Sequence, residues 1–116
     1  MDIGPATPQG IPCPEQARAA ALRVASGDRR FRIILCGTAQ GIMMVANKVS
    51  GIRCRVCSVT FSARMIRRRN DANMLSLGAR VVGEGLAMDI VNAFLASEFQ
   101  GGRHAARVEM IEAKGV

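Results

Sequence analysis

The sequence predicts an α/β protein built on a parallel sheet, and three observations lead there. Short apolar runs at 31–35, 52–57 and 74–77 alternate with longer stretches of helical periodicity. The links between them are short. The run Phe31-Arg32-Ile33-Ile34-Leu35 is apolar and β-branched without alternation, the pattern expected of a central parallel strand. At 116 residues, 49% of them hydrophobic, the chain makes one domain spanning 1–116, with a core of its own. It holds no internal repeat and no low-complexity tract.

The first fourteen residues are rich in Gly and Pro and read as irregular, with Asp2-Ile3-Gly4 as the tail of a strand. Pro14-Glu15-Gln16-Ala17 opens a helix through 24 that puts Ala17, Ala20, Ala21 and Val24 on one face. Ser26-Gly27-Asp28 ends it, and the strand 31–35 follows. A helix over 42–49 stops at Ser50-Gly51, before the strand 52–57. A helix over 58–69 turns Phe61 and Met65 inward, with Ile66 beside them. The third strand is 74–77. Gly83-Glu84-Gly85 leads into a helix over 86–97 with Leu86, Ile90, Val91 and Phe94 on one stripe. After the Gly101-Gly102 hinge, a last helix covers 104–113, with Val108 and Ile111 apolar.

The formal net charge is +7, and the excess is almost all Arg, since Lys occurs only at Lys48 and Lys114. A basic balance suits an anionic partner, and guanidinium forks match phosphate. Aromatics are 3% with no Trp or Tyr, which argues against a stacking platform for single-stranded nucleic acid. The expectation is therefore no nucleic-acid partner and, with no long apolar run, no membrane span. The four cysteines form no dense disulfide framework and no secretory signal precedes them, so a reducing cytoplasm is expected.

Cys36 closes a strand, and Gly37-Thr38-Ala39-Gln40-Gly41 leads from it into a helix. Such a junction presents backbone N–H groups to negative charge and favours a thiolate. A cysteine here is a nucleophile, a base, a ligand or simply a buried residue. Cys54 and Cys57 have the CxxC spacing but no second pair, so no zinc site is expected. On a strand, positions three apart face opposite ways, so the two read as separate core thiols. Cys13 stands between two prolines. Arg67-Arg68-Arg69 reads as a solvated helix end favoured by the dipole, or with one of the three facing a site because the polar loop Asn70-Asp71-Ala72-Asn73 follows, and His104, the one histidine, as a surface or capping residue. Arg103 and Arg107 are four apart, so they share a helical face near its N-terminus, where positive charge is poorly placed. That cost points to an anion nearby.

These segments together resemble a known family. Cys36-Gly37-Thr38, Ala46-Asn47-Lys48-Val49, Gly51-Ile52-Arg53, Asn70-Asp71-Ala72-Asn73, Leu77-Gly78-Ala79-Arg80-Val81-Val82-Gly83 and Gly101-Gly102-Arg103-His104 are similar, in order, to the core of the type B ribose-5-phosphate isomerases and their galactose-6-phosphate relatives. The resemblance implies a Rossmann-like three-layer fold and a homodimer, or tetramer, with shared active sites. It implies interconversion of aldose and ketose phosphates through a cis-enediolate, without metal or cofactor. Carried over, Cys36 is the base. Thr38 and the N–H groups of Gly37, Thr38, Ala39, Gln40 and Gly41 hold the oxyanion. Asn70 contacts sugar oxygens, and Arg103 and Arg107 bind the phosphate.

The chain also departs from the family pattern. It starts at Met1-Asp2-Ile3-Gly4, so the family's first strand–helix–strand unit and its Asp-His pair are expected to be lacking. Loss of that strand would bare the edges of its neighbours. Arg69 occupies the position of the ring-opening histidine, and a guanidinium does not shuttle protons at neutral pH. Ala39 replaces a usual glycine and resists positive φ, which predicts a less well-shaped loop. Pro12-Cys13-Pro14 replaces the usual Asp-Tyr-Pro. These departures make a catalytically impaired phosphosugar-binding paralogue, or a subunit that needs a partner, the alternative to an active isomerase.

Overall fold

The computed structural model describes residues 13–113. Along them run α1 (Cys13–Ala25), β1 (Arg32–Cys36), α2 (Gln40–Ala46), β2 (Cys54–Val56), α3 (Thr60–Asn70), β3 (Met74–Gly78), α4 (Glu84–Ala96) and α5 (Arg103–Glu112). The strands are parallel in the order β1-β3-β2. Each helix and strand expected within these residues is present, with ends shifted by up to three residues. Asp2-Ile3-Gly4 and Pro12 lie outside the described residues. Among those described, no helix is long and apolar enough to cross a membrane.

Successive strand residues face opposite layers, and the two cores follow that alternation. Ile34, Cys54 and Met74 meet α1 and α2, whose Ala17, Ala21 and Ala46 are small enough for close approach. Ile33, Leu75 and Leu77 meet α3 and α4 through Ala63, Ile66, Ile90 and Phe94. The result is a three-layer, Rossmann-like α/β fold, with α5 lying against α3. In the described sheet the strand between two others is β3, not β1. All five β3 residues are buried.

Loop side chains set where elements stop. The Asn47 amide donates to the Cys54 carbonyl (2.8 Å) and accepts from its N–H (2.7 Å), so α2 ends at Ala46 and its C-cap fastens β2. Asn73 accepts the Arg53 N–H (2.8 Å) and donates to the Gly51 carbonyl (2.9 Å). With the Arg53 N–H taken, the ladder of β2 begins at Cys54, two residues after the expected start.

Several inward-facing residues differ from expectation. Phe61 is 61% exposed and Leu86 is 41% exposed, while Met65 is half-buried. Both Phe61 and Leu86 lie in the first turns of their helices. Ile111 is exposed too, and α5 buries only His104.

Arg67 is the larger correction: it is 2% exposed, not solvated. Phe31 and Phe94 pack edge to face at 5.5 Å, and the Arg67 guanidinium lies 4.7 Å from the first ring centre and 5.9 Å from the second. Its Nη1 donates to Asp71 Oδ1 (2.9 Å) and to the Ala72 carbonyl (2.6 Å). Two ring faces, a carboxylate and a carbonyl thus replace the water that the guanidinium loses on burial. Arg67→Ala empties this site and strands the Ala72 carbonyl. We expect a loss of about 2–4 kcal/mol, read from urea unfolding midpoints. A change under about 0.5 kcal/mol would show the cation to be a bystander.

Candidate active site

At the carboxyl end of β1 the chain passes through Cys36, Gly37, Thr38 and Ala39 into α2. Cys36 and Gly37 are half-buried, Thr38, Gln40 and Gly41 are exposed, and Ala39 is buried. Contrary to the reading that alanine resists it, Ala39 adopts the left-handed conformation, φ 67° and ψ 7°. That geometry costs an L-residue about 1–2 kcal/mol, so neighbours must hold it. The buried Ser76 hydroxyl donates to the Ala39 carbonyl (2.9 Å), which also accepts the Met43 N–H (3.3 Å). The residues after β3 clamp the other side. Ala79 N–H donates to the Cys36 carbonyl (2.7 Å) and Arg80 N–H to the Gly37 carbonyl (3.0 Å). Gly78 is required there, because a Cβ would lie 3.0 Å from the carbonyl oxygens of both Gly37 and Thr38.

Arg80 also belongs to this end and was missed. Its Nε is 3.6 Å from where a Cβ on Gly37 would stand, so the guanidinium lies over the loop. Its segment stood among the recognised motifs, but an exposed arginine after a strand carries no sequence signal of what it covers.

A second group forms at the end of α3. Asn70 is half-buried and lines an open cleft of about 630 Å³ with Asn47, Lys48, Arg53 and Arg55. Arg69 is exposed beside it. On α5, Arg103 and Arg107 are exposed but His104 is buried, which corrects its reading as a surface residue. Its pKa is lowered, first by burial and then by the positive charges of Arg103, Arg107 and Arg69. The charges of all three guanidinium groups thus act on one imidazole. Gln100 N–H donates to the Arg68 carbonyl (2.9 Å), tying the approach to α5 onto α3.

The two groups lie at opposite ends of the sheet. Cys36 pairs in register with Gly78 at the carboxyl end of β3, while Asn70 precedes Met74 at its amino end. Four residue steps of strand separate those ends by about 13 Å. A single chain therefore brings Cys36, Gly37, Thr38, Ala39, Gln40 and Gly41 together, and separately Arg69, Asn70, Arg103 and Arg107.

The chain's sequence matches the model of the Ribose/Galactose Isomerase family over residues 1–111. The chain belongs to the ribose/galactose isomerase family. It is 45% identical over 113 residues to ribose-5-phosphate isomerase B of Escherichia coli K12, covering 97% of this chain and 76% of that one. Ribose-5-phosphate isomerase B of Clostridium thermocellum superposes with a TM-score of 0.92 at 48% identity, covering 97% of this chain and 76% of that one. The Mycoplasma genitalium enzyme, crystallised with bound ribulose-5-phosphate, superposes at 0.88 with 34% identity, covering 96% and 74%. This ribose/galactose isomerase family member thus spans about three quarters of the length of these relatives.

Cys54 borders the cleft that Asn70 lines, but, like Cys57, it is buried. Cys54 joins the α1/α2 core and Cys57 the α3/α4 core, on opposite faces of the sheet as the spacing requires. Burial pushes the Cys54 thiol up to about 12, with Cys57 adding to the rise. Burial likewise pushes Cys57 up to about 11, against the lowering charge of Arg55. Among the described residues, no group of three or more His, Cys, Asp or Glu is placed to hold a metal ion. In native protein at pH 8, Cys54 and Cys57 should resist iodoacetamide and react only after unfolding in urea, read by peptide mass spectrometry. Both thiols keep their protons on folding beyond the ordinary value of 9.0, so their stabilising contribution is intact below pH 9 and is lost as pH rises toward 12. Rapid native labelling at pH 8 would contradict this burial.

Proposed function

We propose that this family member interconverts the aldose and ketose forms of a phosphorylated sugar, with ribose 5-phosphate and ribulose 5-phosphate as the type. The observation that carries the reading is Cys36 at the carboxyl end of β1, on a loop whose left-handed residue and close backbone contacts are held by β3 and the residues after it. Ribulose-5-phosphate in the Mycoplasma genitalium relative supports the substrate class.

In the proposed step the Cys36 thiolate removes the proton from C2 of the open-chain aldose. The C2 electron pair forms the C1–C2 double bond, and the carbonyl pair moves onto O1. A proton passes from O2 to O1, and Cys36 returns its proton to C1 as the carbonyl forms at C2. The negative charge rises on O1 and O2 of a cis-enediolate. The N–H groups of Gly37, Thr38, Ala39, Gln40 and Gly41, with the Thr38 hydroxyl, are assigned to it, because fixed donors aimed at developing charge lower such barriers. Arg103 and Arg107 take the phosphate and Asn70 the sugar hydroxyls. Since they sit at the far end of their own sheet, they are assigned to the site of a second copy, giving a homodimer with shared sites. The reading places the enzyme in the cytoplasm and asks for no cofactor.

Arg69 favours a second reading. It is exposed, its charge acts on the same His104 as those of Arg103 and Arg107, and a guanidinium cannot open a sugar ring by proton transfer. Under that reading the chain binds phosphosugars without turning them over, or acts only beside a partner subunit.

The purified protein should isomerise ribose 5-phosphate, and Cys36→Ala should lose at least about a thousandfold in kcat, the range for a proton-transfer group together with its positioning. Equal activity in both would remove Cys36 from the mechanism. Equimolar Cys36→Ala and Arg107→Ala, each impaired alone, should regain about one quarter of full activity when mixed, the share of intact sites in a random two-fold dimer. Binding of ribose 5-phosphate by calorimetry without any turnover would select the second reading.

A further inference from the structure

The middle strand β3 carries a polar residue, Ser76, at 0% exposure. A hydroxyl in such a place is unfavourable unless bonded. Met74, Leu75 and Leu77 around it are apolar and equally enclosed. Its donor goes to the carbonyl of Ala39, on the loop that follows β1, 37 positions earlier in the chain. That residue carries the loop's positive φ without being glycine.

These facts are one device. At φ 67° and ψ 7° the Ala39 carbonyl points back into the sheet layer, where it meets the Ser76 hydroxyl and the Met43 N–H. Fixing this carbonyl fixes the peptide plane that carries the Gln40 N–H. Fixing φ sets the plane before it, with the Thr38 carbonyl and the Ala39 N–H. Gly78 seals that plane from the other side. A glycine at 39 would hold this shape at no steric cost; an alanine needs an outside bond.

We infer that Ser76 is a positioning residue for the Cys36 loop, and that its hydrogen bond is required because position 39 is alanine. The inference rests on the proposed isomerase reading for its kinetic consequence, though not for its structural one. Ser76 touches no reacting atom; it acts through Ala39 on the N–H groups assigned to the enediolate. The effect is expected in the chemical step, since Ser76 acts on the N–H groups assigned to the enediolate and not on Arg103 or Arg107, which are assigned to the phosphate.

The test is a two-residue cycle. Ser76→Ala should lower kcat for ribose 5-phosphate about ten- to hundredfold with KM changed less than about twofold, the scale expected when donors are misplaced by an ångström or less. In the Ala39→Gly background the same Ser76→Ala change should cost less than about twofold, because glycine supplies the geometry itself. Circular dichroism of each variant checks that the fold is kept. A loss of equal size in both backgrounds would make Ser76 an ordinary core residue and overturn the inference, as would an unchanged kcat in Ser76→Ala. The alkylation rate of Cys36, followed by peptide mass spectrometry, provides a readout independent of turnover and should show the same background dependence. If the wild-type chain does not isomerise, the proposed function fails while the alkylation cycle still decides the role of Ser76.

Discussion

Strand β3 lies between β1 and β2 with helices over both faces, so each of its five residues must fit a buried place. Met74, Leu75 and Leu77 do so by hydrophobic packing into the two cores. Gly78 does so by having no side chain, which lets the Cys36 loop cross at contact distance. Ser76 alone needs a polar partner, and it finds one outside the sheet, on that same loop. The enclosure of β3 therefore shapes the loop as well as the core. A close-packed interior transmits such constraints because it cannot deform gradually.

The amino end of β3 is held differently. There the chain turns at Asp71, whose φ of 50° is the second positive value at a non-glycine residue among those described. An aspartate tolerates this better than most residues. Arg67 and Arg53 both reach it, Arg67 from the core and Arg53 from the loop before β2. Arg53 also pairs with Glu112 on α5. The turn that carries Asn70 is thus tied to the helix that carries Arg103 and Arg107. Both guanidinium groups are more enclosed than their carboxylates, so these pairs are screened less than fully exposed ones.

Most of the architecture was legible because it rests on local pattern. Apolar runs and helical periodicity gave eight elements in order, and the CxxC spacing on a strand put Cys54 and Cys57 on opposite faces. What escaped depends on residues far apart in sequence. Arg67 looks like the start of a charged tract; only Phe31 and Phe94, 36 positions before it and 27 after, make it a core residue. Ala39 looks unable to take positive φ until Ser76 is seen beneath it. Phe61 and Leu86 obey the helical period, but they sit in the first turns of α3 and α4 and stay exposed. His104 lacks any local apolar pattern, and its burial comes from α5 lying on α3. In the site, the motif segments marked Cys36, Thr38, Asn70, Arg103 and Arg107 through resemblance. The same segments did not reveal that they fall into two groups.

That division is a consequence of topology. A parallel strand preceded by a helix enters the sheet at the end where the helix finishes, and leaves it at the other. Asn70 closes α3 and must stand at the entry of β3, whereas the Cys36 loop abuts its exit through Ala79 and Arg80. The separation of about 13 Å is a length of fully hydrogen-bonded, buried strand, so no hinge within the domain can shorten it. Within the proposed isomerase, then, a single sugar phosphate cannot span from Cys36 to Arg103 of the same chain along this face. A second copy related by a two-fold axis removes the difficulty without deforming either sheet. Under that reading the axis would set the exit end of one β3 against the entry end of the other, and by symmetry would do so twice. Assembly under this reading completes the chemistry, and the rigidity of β3 is the reason it is needed.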